Sequence, residues 1–211
     1  MCEACWLGLP ELETPRCAGC DEALPGGAPD ARCGRCLLDP PPFDALCAAA
    51  PYSGSARRIL LAFKFQGADF LAERLAAAMT ERLAPGAADE VAAVPATARK
   101  RRERGYHPAA LLGGALARRL GVPFTENRLR KVRETERQSL LPLARRAANV
   151  RRAFAVSGSP ARRVLLVDDV ATSGATAREC AARLRAAGAQ SVVVWCFARA
   201  SRTDAPDRET A

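Results

Sequence analysis

Lysine, histidine and aromatic side chains are all scarce in this chain of 211 residues. Of 32 basic residues only Lys64, Lys100 and Lys131 are lysines, His107 is the only histidine, and aromatics are 5% of the sequence. So few rings leave no evident platform for stacking the bases of single-stranded nucleic acid. Long apolar runs are missing too. None approaches the roughly 18 residues that a membrane helix needs, and Met1-Cys2-Glu3-Ala4-Cys5 lacks the basic start and apolar stretch of a signal peptide. The expectation is a cytoplasmic chain with no membrane insertion. What is present, 49% hydrophobic and 26% charged residues, is globular rather than disordered composition, at a length that suits one ordinary domain with a small appendage.

The net charge of +9 is unevenly spread. Residues 1–98 carry 8 basic and 13 acidic side chains, residues 99–152 carry 16 and 4, and residues 153–211 carry 8 and 6. The middle segment, at net +12, exceeds the excess of the whole chain and predicts a positive field suited to a polyphosphate or a nucleic acid.

Cysteine is concentrated at the other end. Seven of nine lie in the first 47 residues, six of them as Cys-x-x-Cys pairs: Cys2/Cys5, Cys17/Cys20 and Cys33/Cys36. Two residues between thiolates let one tight turn aim both sulfurs at one ion, and two such turns complete the tetrahedral shell of zinc. Cys17, Cys20, Cys33 and Cys36 are the favoured ligands of a structural Zn²⁺, which leaves Cys2 and Cys5 over or in competition with another pair. A thioredoxin-like redox role is the rival for any single pair, but no strand–helix pattern frames one. Cys47, Cys180 and Cys196 read as small core residues.

Residues 1–42, rich in Cys, Pro and Gly, have too little apolar bulk for a core, so a metal would supply their folding energy. Pro40-Pro41-Pro42 reads as a stiff linker to an α/β domain over 43–200, followed by a disordered tail, 201–211. Helices are predicted at 56–65, at 70–83 from the stripe Leu71, Leu75, Met79, Leu83, and at Tyr106–Leu120, closed by Gly121. Ala92–Val94 and Val122–Phe124 are short strand candidates. Residues 126–152 show no clear period and read as a polar surface excursion. The apolar runs Val164–Val167 and Val192–Phe197 flank a helix marked by Ala177, Cys180, Ala181 and Leu184, which makes 163–198 a β-loop-α-β unit with parallel strands.

That unit carries the chemistry. In Val164-Leu165-Leu166-Val167-Asp168-Asp169-Val170-Ala171-Thr172-Ser173-Gly174-Ala175-Thr176 a buried strand delivers two acids at its C-terminal end, where open α/β sheets bind ligands. The following loop, with hydroxyls of Thr172, Ser173 and Thr176, a pliant Gly174 and the helix start at Ala175, reads as a phosphate cradle. Acids repel phosphate but suit sugar hydroxyls and an indirectly held Mg²⁺, so a ribose 5-phosphate site is predicted. His107 has the pKa of a base near neutrality, but beside Pro108 at a predicted helix start it reads rather as a capping or surface residue.

The run resembles the phosphoribosyl pyrophosphate signature of the type I phosphoribosyltransferases. Together with Lys64-Phe65-x-Gly67, Val94-Pro95 before Arg99, Arg104-Gly105-Tyr106, Thr135-x-x-Gln138-x-x-Leu141, Arg146-x-x-Asn149-Val150 and the cysteine pairs, the chain resembles the ComF family, bacterial proteins linked with competence and DNA uptake. The likeness implies that Asp168 and Asp169 meet the ribose hydroxyls and that 172–176 hold the 5-phosphate. It also implies that the 94–99 turn with Arg99 faces the diphosphate, and that 126–152 form a flap and hood. Two departures stand out. Arg104-Gly105-Tyr106-His107-Pro108 replaces the usual Arg-Gly-Phe-Asn-Gln, and Thr172 occupies the place where purine-salvage relatives carry an acid, which leaves no obvious base for a nucleobase. The functional expectation is a phosphoribosyl pyrophosphate-binding protein of DNA uptake, with single-stranded DNA and uptake proteins as partners. The alternative is an active phosphoribosyltransferase of unknown acceptor without a DNA role.

Overall fold

The computed structural model describes residues 3–81, 86, 88–136 and 141–200; Cys2, Leu83, Gln138 and the tail 201–211 lie outside the described residues. In chain order come α1 (Glu3–Leu7), α2 (Gly34–Leu38), β1 (Ala45–Pro51), α3 (Gly54–Phe65), α4 (Ala72–Thr80), β2 (Glu90–Ala93), α5 (Ala98–Arg104) and α6 (Pro108–Leu120). After these come β3 (Phe124–Thr125), β4 (Leu129–Lys131), α7 (Leu143–Val150), β5 (Phe154–Val156), β6 (Arg163–Ala171), α8 (Ala175–Ala186) and β7 (Ser191–Arg199).

Five strands form one parallel sheet in the order β1-β7-β6-β2-β3. The two apolar runs lie at its centre, and alternation explains why they read as continuous. Leu165, Val167, Trp195 and Phe197 point to one face, where Ile59, Leu60 and Phe63 of α3, Leu75 and Met79 of α4, and Leu112 and Leu116 of α6 cover them. Val164, Leu166, Val192, Val194 and Cys196 point to the other, beneath Cys180 and Leu184 of α8, with Phe154 and Leu129. A sheet buried on both faces needs no polar side. Cys180 and Cys196 are core residues as expected, and Trp195 is buried with its indole N–H donating to the Met79 carbonyl at 3.0 Å.

The structure extends the sequence reading in three places. β1 forms the edge beside β7 with buried Leu46, Ala48 and Ala50, although its alanine-rich sequence offers few of the branched side chains that mark strands. α5 buries no residue and so has no apolar period to read; its start is marked only by Thr97, which accepts from the Lys100 N–H at 3.1 Å, and its end by left-handed Gly105. Residues 126–152 are not an irregular excursion: β4 pairs antiparallel with β5, and α7 packs on α8. Asn149 closes this region by bonding both the N–H (3.1 Å) and the carbonyl (3.0 Å) of Glu136.

Helix α6 lies so close to β3 that a Cβ on Gly113 would sit 2.6 Å from Cε2 of Phe124. Alanine in a helix interior ordinarily gains about 1 kcal/mol over glycine, whereas crowding a packed contact costs about 1–3 kcal/mol. Gly113→Ala is therefore expected to lose about 1 kcal/mol net in a denaturant melt. A gain would show that α6 and β3 part easily.

Candidate functional site

β2 and β6 are hydrogen-bonded neighbours whose outgoing connections diverge. β2 leads through α5 and α6 on one face to β3, and β6 leads through α8 on the other face to β7. The crevice at the carboxyl ends of such a strand pair is where open α/β sheets hold ligands. Both motifs of interest end there. Val94 stays on the sheet through its N–H to the Val167 carbonyl (2.9 Å), and the acids follow at once on β6.

The acids do not mark the end of the strand, as the sequence predicts, because β6 continues in register with β7 through Asp168↔Cys196 to Ala171↔Arg199. Strand alternation sends the two side chains to opposite sides, and their surroundings differ. Asp169 is buried and pairs with Nζ of Lys64, from the last turn of α3, at 3.0 Å. Burial alone would raise the Asp169 carboxyl, but the Lys64 ammonium outweighs it and holds the carboxyl below its usual range. Burial, followed by the repulsion of ionised Asp169, pushes Asp168 up to about 8. Asp168 Oδ1 accepts the Asp169 N–H at 2.9 Å. Near neutral pH the pair thus holds one proton, on Asp168, while Lys64 remains charged: the two acids raise its pKa despite its burial.

Lys64 is the residue that sequence reasoning passed over. Its motif was visible, but its role depends on a partner far along the chain. Around it, Lys64, Phe65 and Gly67 meet Glu103, Arg104 and Tyr106 to line a cleft of about 140 Å³. The Tyr106 hydroxyl donates to the Phe63 carbonyl, and the Arg104 guanidinium lies 4.6 Å over the Phe65 ring. Two stretches distant in sequence thus form one wall. Removing Lys64 would leave Asp169 as a buried, unbalanced carboxylate, which typically costs about 3 kcal/mol. Lys64→Met is expected to lower the unfolding free energy by about 2–3 kcal/mol at pH 7.5. The loss should shrink as pH falls, because the carboxyl left without its cation takes up a proton first in the variant; an equal loss at neutral and acidic pH would contradict the pairing.

The loop after β6 turns on Gly174, whose φ of 73° is left-handed and caps α8. Thr172 is exposed, Ser173 is buried with its Oγ accepting the Ala175 N–H at 3.3 Å, Ala175 is buried and Thr176 half-buried. These five residues stand together beside the acids. Arg99 is exposed on α5 and pairs with Glu103 at 2.8 Å. The cations whose fields reach the acids are Lys64, Lys100 and Arg104.

His107 overturns its surface or capping assignment. It sits at the N-cap position of α6 but makes no side-chain cap. Its ring is buried, with Nε2 3.0 Å from the Val94 carbonyl and Nδ1 without a hydrogen-bond partner. Burial lowers its pKa, so the ring is neutral near pH 7. It ties α6 to the end of β2.

At the far side of the loop, Cys17, Cys20, Cys33 and Cys36 converge, all four Sγ atoms within 4.8 Å of one another. Cys20 and Cys33 sulfurs are 3.7 Å apart, and all four thiols are free. Four sulfurs about 2.3 Å from a common zinc are about 3.8 Å from each other, so the spacing fits a tetrahedral metal shell. Although burial opposes it, N–H groups of Cys33, Cys20 and Gly19 lower the Cys17 thiol to about 7. Cys5, by contrast, packs against the main core near Trp6, apart from this cluster.

No helix among the described residues is long and apolar enough to cross a membrane. The family model described as Phosphoribosyl transferase domain matches residues 108–211. "Competence protein F" of Haemophilus influenzae is 31% identical over 213 residues, spanning 95% of this chain and 90% of its own. "DNA utilization protein YhgH" of Salmonella typhi is 32% identical over 185 residues, 83% of this chain and 81% of its own. Among solved structures, the glutamine phosphoribosylpyrophosphate amidotransferase of B. subtilis aligns with a TM-score of 0.40 and 27% identity over 62% of this chain and 26% of that one. A parallel sheet with helices on both faces, a phosphoribosyltransferase domain match, a four-cysteine cluster ahead of it and relatives alike over nearly the whole length lead to one assignment: the chain belongs to the ComF family.

Proposed function

We propose that this protein binds phosphoribosyl pyrophosphate with Mg²⁺ at the crevice between β2 and β6 and serves DNA uptake in the cytoplasm. The observation that carries the reading is the conjunction at the end of β6. Paired acids, one balanced by Lys64, stand directly ahead of a hydroxyl-bearing loop that turns on left-handed Gly174 into α8. Asp168 and Asp169 would accept from the ribose hydroxyls. The amides and hydroxyls of 172–176 would hold the 5-phosphate at the start of a helix of adequate length. Mg²⁺, held indirectly beside Asp168 and Asp169, would supply neutralisation of the charge on the diphosphate. The basic 99–152 segment, with Arg99 on the 94–99 side, would face the diphosphate or a DNA backbone through salt-sensitive phosphate contacts.

The same reading assigns residues 1–42 to a zinc-held module, residues 43–200 to the ligand-binding domain and residues 201–211 to a tail. Support for the DNA-uptake role comes from the relatives, Competence protein F and DNA utilization protein YhgH. Titration calorimetry with phosphoribosyl pyrophosphate and Mg²⁺ tests the site, and no heat of binding would overturn it. Diphosphate release, assayed with and without single-stranded DNA, separates a turnover enzyme from a ligand-sensing factor. Without binding, the basic segment and the thiolate cluster would be left to carry the function.

A further inference from the structure

Arg199, at the end of β7, is a buried guanidinium whose donors are all directed at protein. Nε donates to the Cys20 carbonyl at 3.2 Å and Nη2 to Glu22 Oε2 at 2.8 Å, both in the thiolate knuckle. Nη1 donates to the carbonyls of Ala171 (3.0 Å), Thr172 and Ala200 (2.9 Å). The second thiolate pair has its own arm. Arg35, between Cys33 and Cys36, donates from Nη2 to the Ser173 carbonyl at 3.1 Å. Three consecutive carbonyls, those of the last residue of β6 and the first two of the loop, are therefore held by two arginines, one tied to each Cys-x-x-Cys turn. A trans peptide unit is planar, with its N–H opposite its C=O. Holding the carbonyls of 171, 172 and 173 from the knuckle side aims the N–H groups of Thr172, Ser173 and Gly174 the other way, away from the knuckle.

We propose that Arg199, seconded by Arg35, is a positioning residue that transmits the state of the four-thiolate knuckle to the loop amides. Metal in the knuckle and ribose phosphate at the loop then bind with linked affinities. The identity of the loop ligand rests on the reading above; the mechanical link rests on these hydrogen bonds alone. A metal that joins the two Cys-x-x-Cys turns fixes both arms relative to each other. Without it each arm moves separately, and the three peptide planes lose their common orientation. Because coupling between two sites is reciprocal, ligand at the loop must tighten metal by the factor that metal tightens ligand.

The test uses full-length, zinc-loaded protein. Zinc affinity is measured by competition with a chromogenic chelator, with and without saturating phosphoribosyl pyrophosphate and constant Mg²⁺. About a tenfold tightening by the ligand is expected, within the usual range of coupling between sites. In Glu22→Gln with Arg199→Met, which removes both members of the ion pair, the ratio should fall to about one while each ligand still binds. Arg199→Lys restores the charge but not the fork and should recover only part of the coupling. Where the double variant fails to unfold cooperatively, Glu22→Gln alone, which removes the ion pair but keeps the Cys20 carbonyl contact, is read instead and should lower the ratio part of the way towards one. Independently of any ligand, amide hydrogen exchange of the 172–176 peptide should rise at least severalfold when zinc is stripped from the wild type. Unchanged exchange, or equal zinc affinity with and without bound ligand, would overturn the link. Failure of the wild type to bind phosphoribosyl pyrophosphate would instead remove the ribose-phosphate reading and leave the exchange result to decide the link.

Discussion

Cys17→Ser combined with Cys33→Ser is expected to abolish metal binding, from about one zinc per chain to none by elemental analysis, and to unfold residues 10–40. Both sides of the knuckle lose a ligand, and structural zinc contributes on the order of 10 kcal/mol to the folding of small modules. Besides the metal, the segment is tied to the domain by the Arg199 and Arg35 contacts, by the Leu46 N–H to the Gly19 carbonyl at 3.1 Å and by Leu12 in the sheet's core. Its own buried side chains are Leu12, Cys17 and Cys36, and backbone bonds such as Cys17 N–H to Glu22 O at 2.8 Å and Ala18 N–H to Ala31 O at 2.9 Å span the thiolate turns. Exchange protection should vanish there, while the five-stranded sheet keeps a cooperative transition, since its two cores share no cysteine of the cluster. Metal retained at one equivalent would mean that another pair, with Cys2 and Cys5 first in line, completes the shell.

The second large effect is on ligand binding. Asp168→Asn with Asp169→Asn is expected to weaken phosphoribosyl pyrophosphate by roughly 100-fold or more. A hydrogen bond to the charged Asp169 is worth about 1.5–3 kcal/mol and one to the neutral Asp168 about 1 kcal/mol, where about 1.4 kcal/mol is tenfold. The fold should remain, and Asp168→Asn alone should even stabilise it at high pH. The sign follows from proton counting. Asp168 titrates at about 8 in the folded chain against about 3.9 in an unfolded one. The folded state therefore binds more protons between those values, and the wild type loses stability as pH rises from about 4 to about 8. An amide does not ionise, so Asp168→Asn should melt several degrees higher at pH 8, with no gain at pH 4. Unchanged affinity in the double variant would remove the site assignment, and a lower melting point at pH 8 would mean that Asp168 is ionised and paired in the folded protein. A binding residue held at a cost in stability is a common signature of a functional position.

The two kinds of signal that led to this site were unequal in reach. Asp168, Asp169 and the 172–176 loop follow one another from β6 into α8 because apolar run, acids, glycine turn and helix are consecutive, and each constrains its neighbour's backbone. Residue 174 must be left-handed for β6 to turn into α8, and glycine is there. Strand length was less legible. β6 runs on through Ala171 because β7 continues beside it, a pairing that no single segment contains. His107 shows the same limit: its sequence neighbours place it at a helix start, and only the packing of α6 against β2 buries it.

By itself, then, the sequence determined the parallel β6-α8-β7 unit, the acid pair with its loop, and the four thiolates that meet in space, all features whose partners lie within one or two turns or repeat a short spacing. Tertiary structure alone decided which cation faces Asp169, that 64–67 and 104–106 share a cleft, that alanine-rich β1 closes the sheet edge, and that Arg199 and Arg35 join the knuckle to the loop. Those outcomes depend on which distant surfaces pack together. An arginine or lysine carries the same charge and reach wherever it stands, so its partner is chosen by the fold and not by its neighbours in sequence.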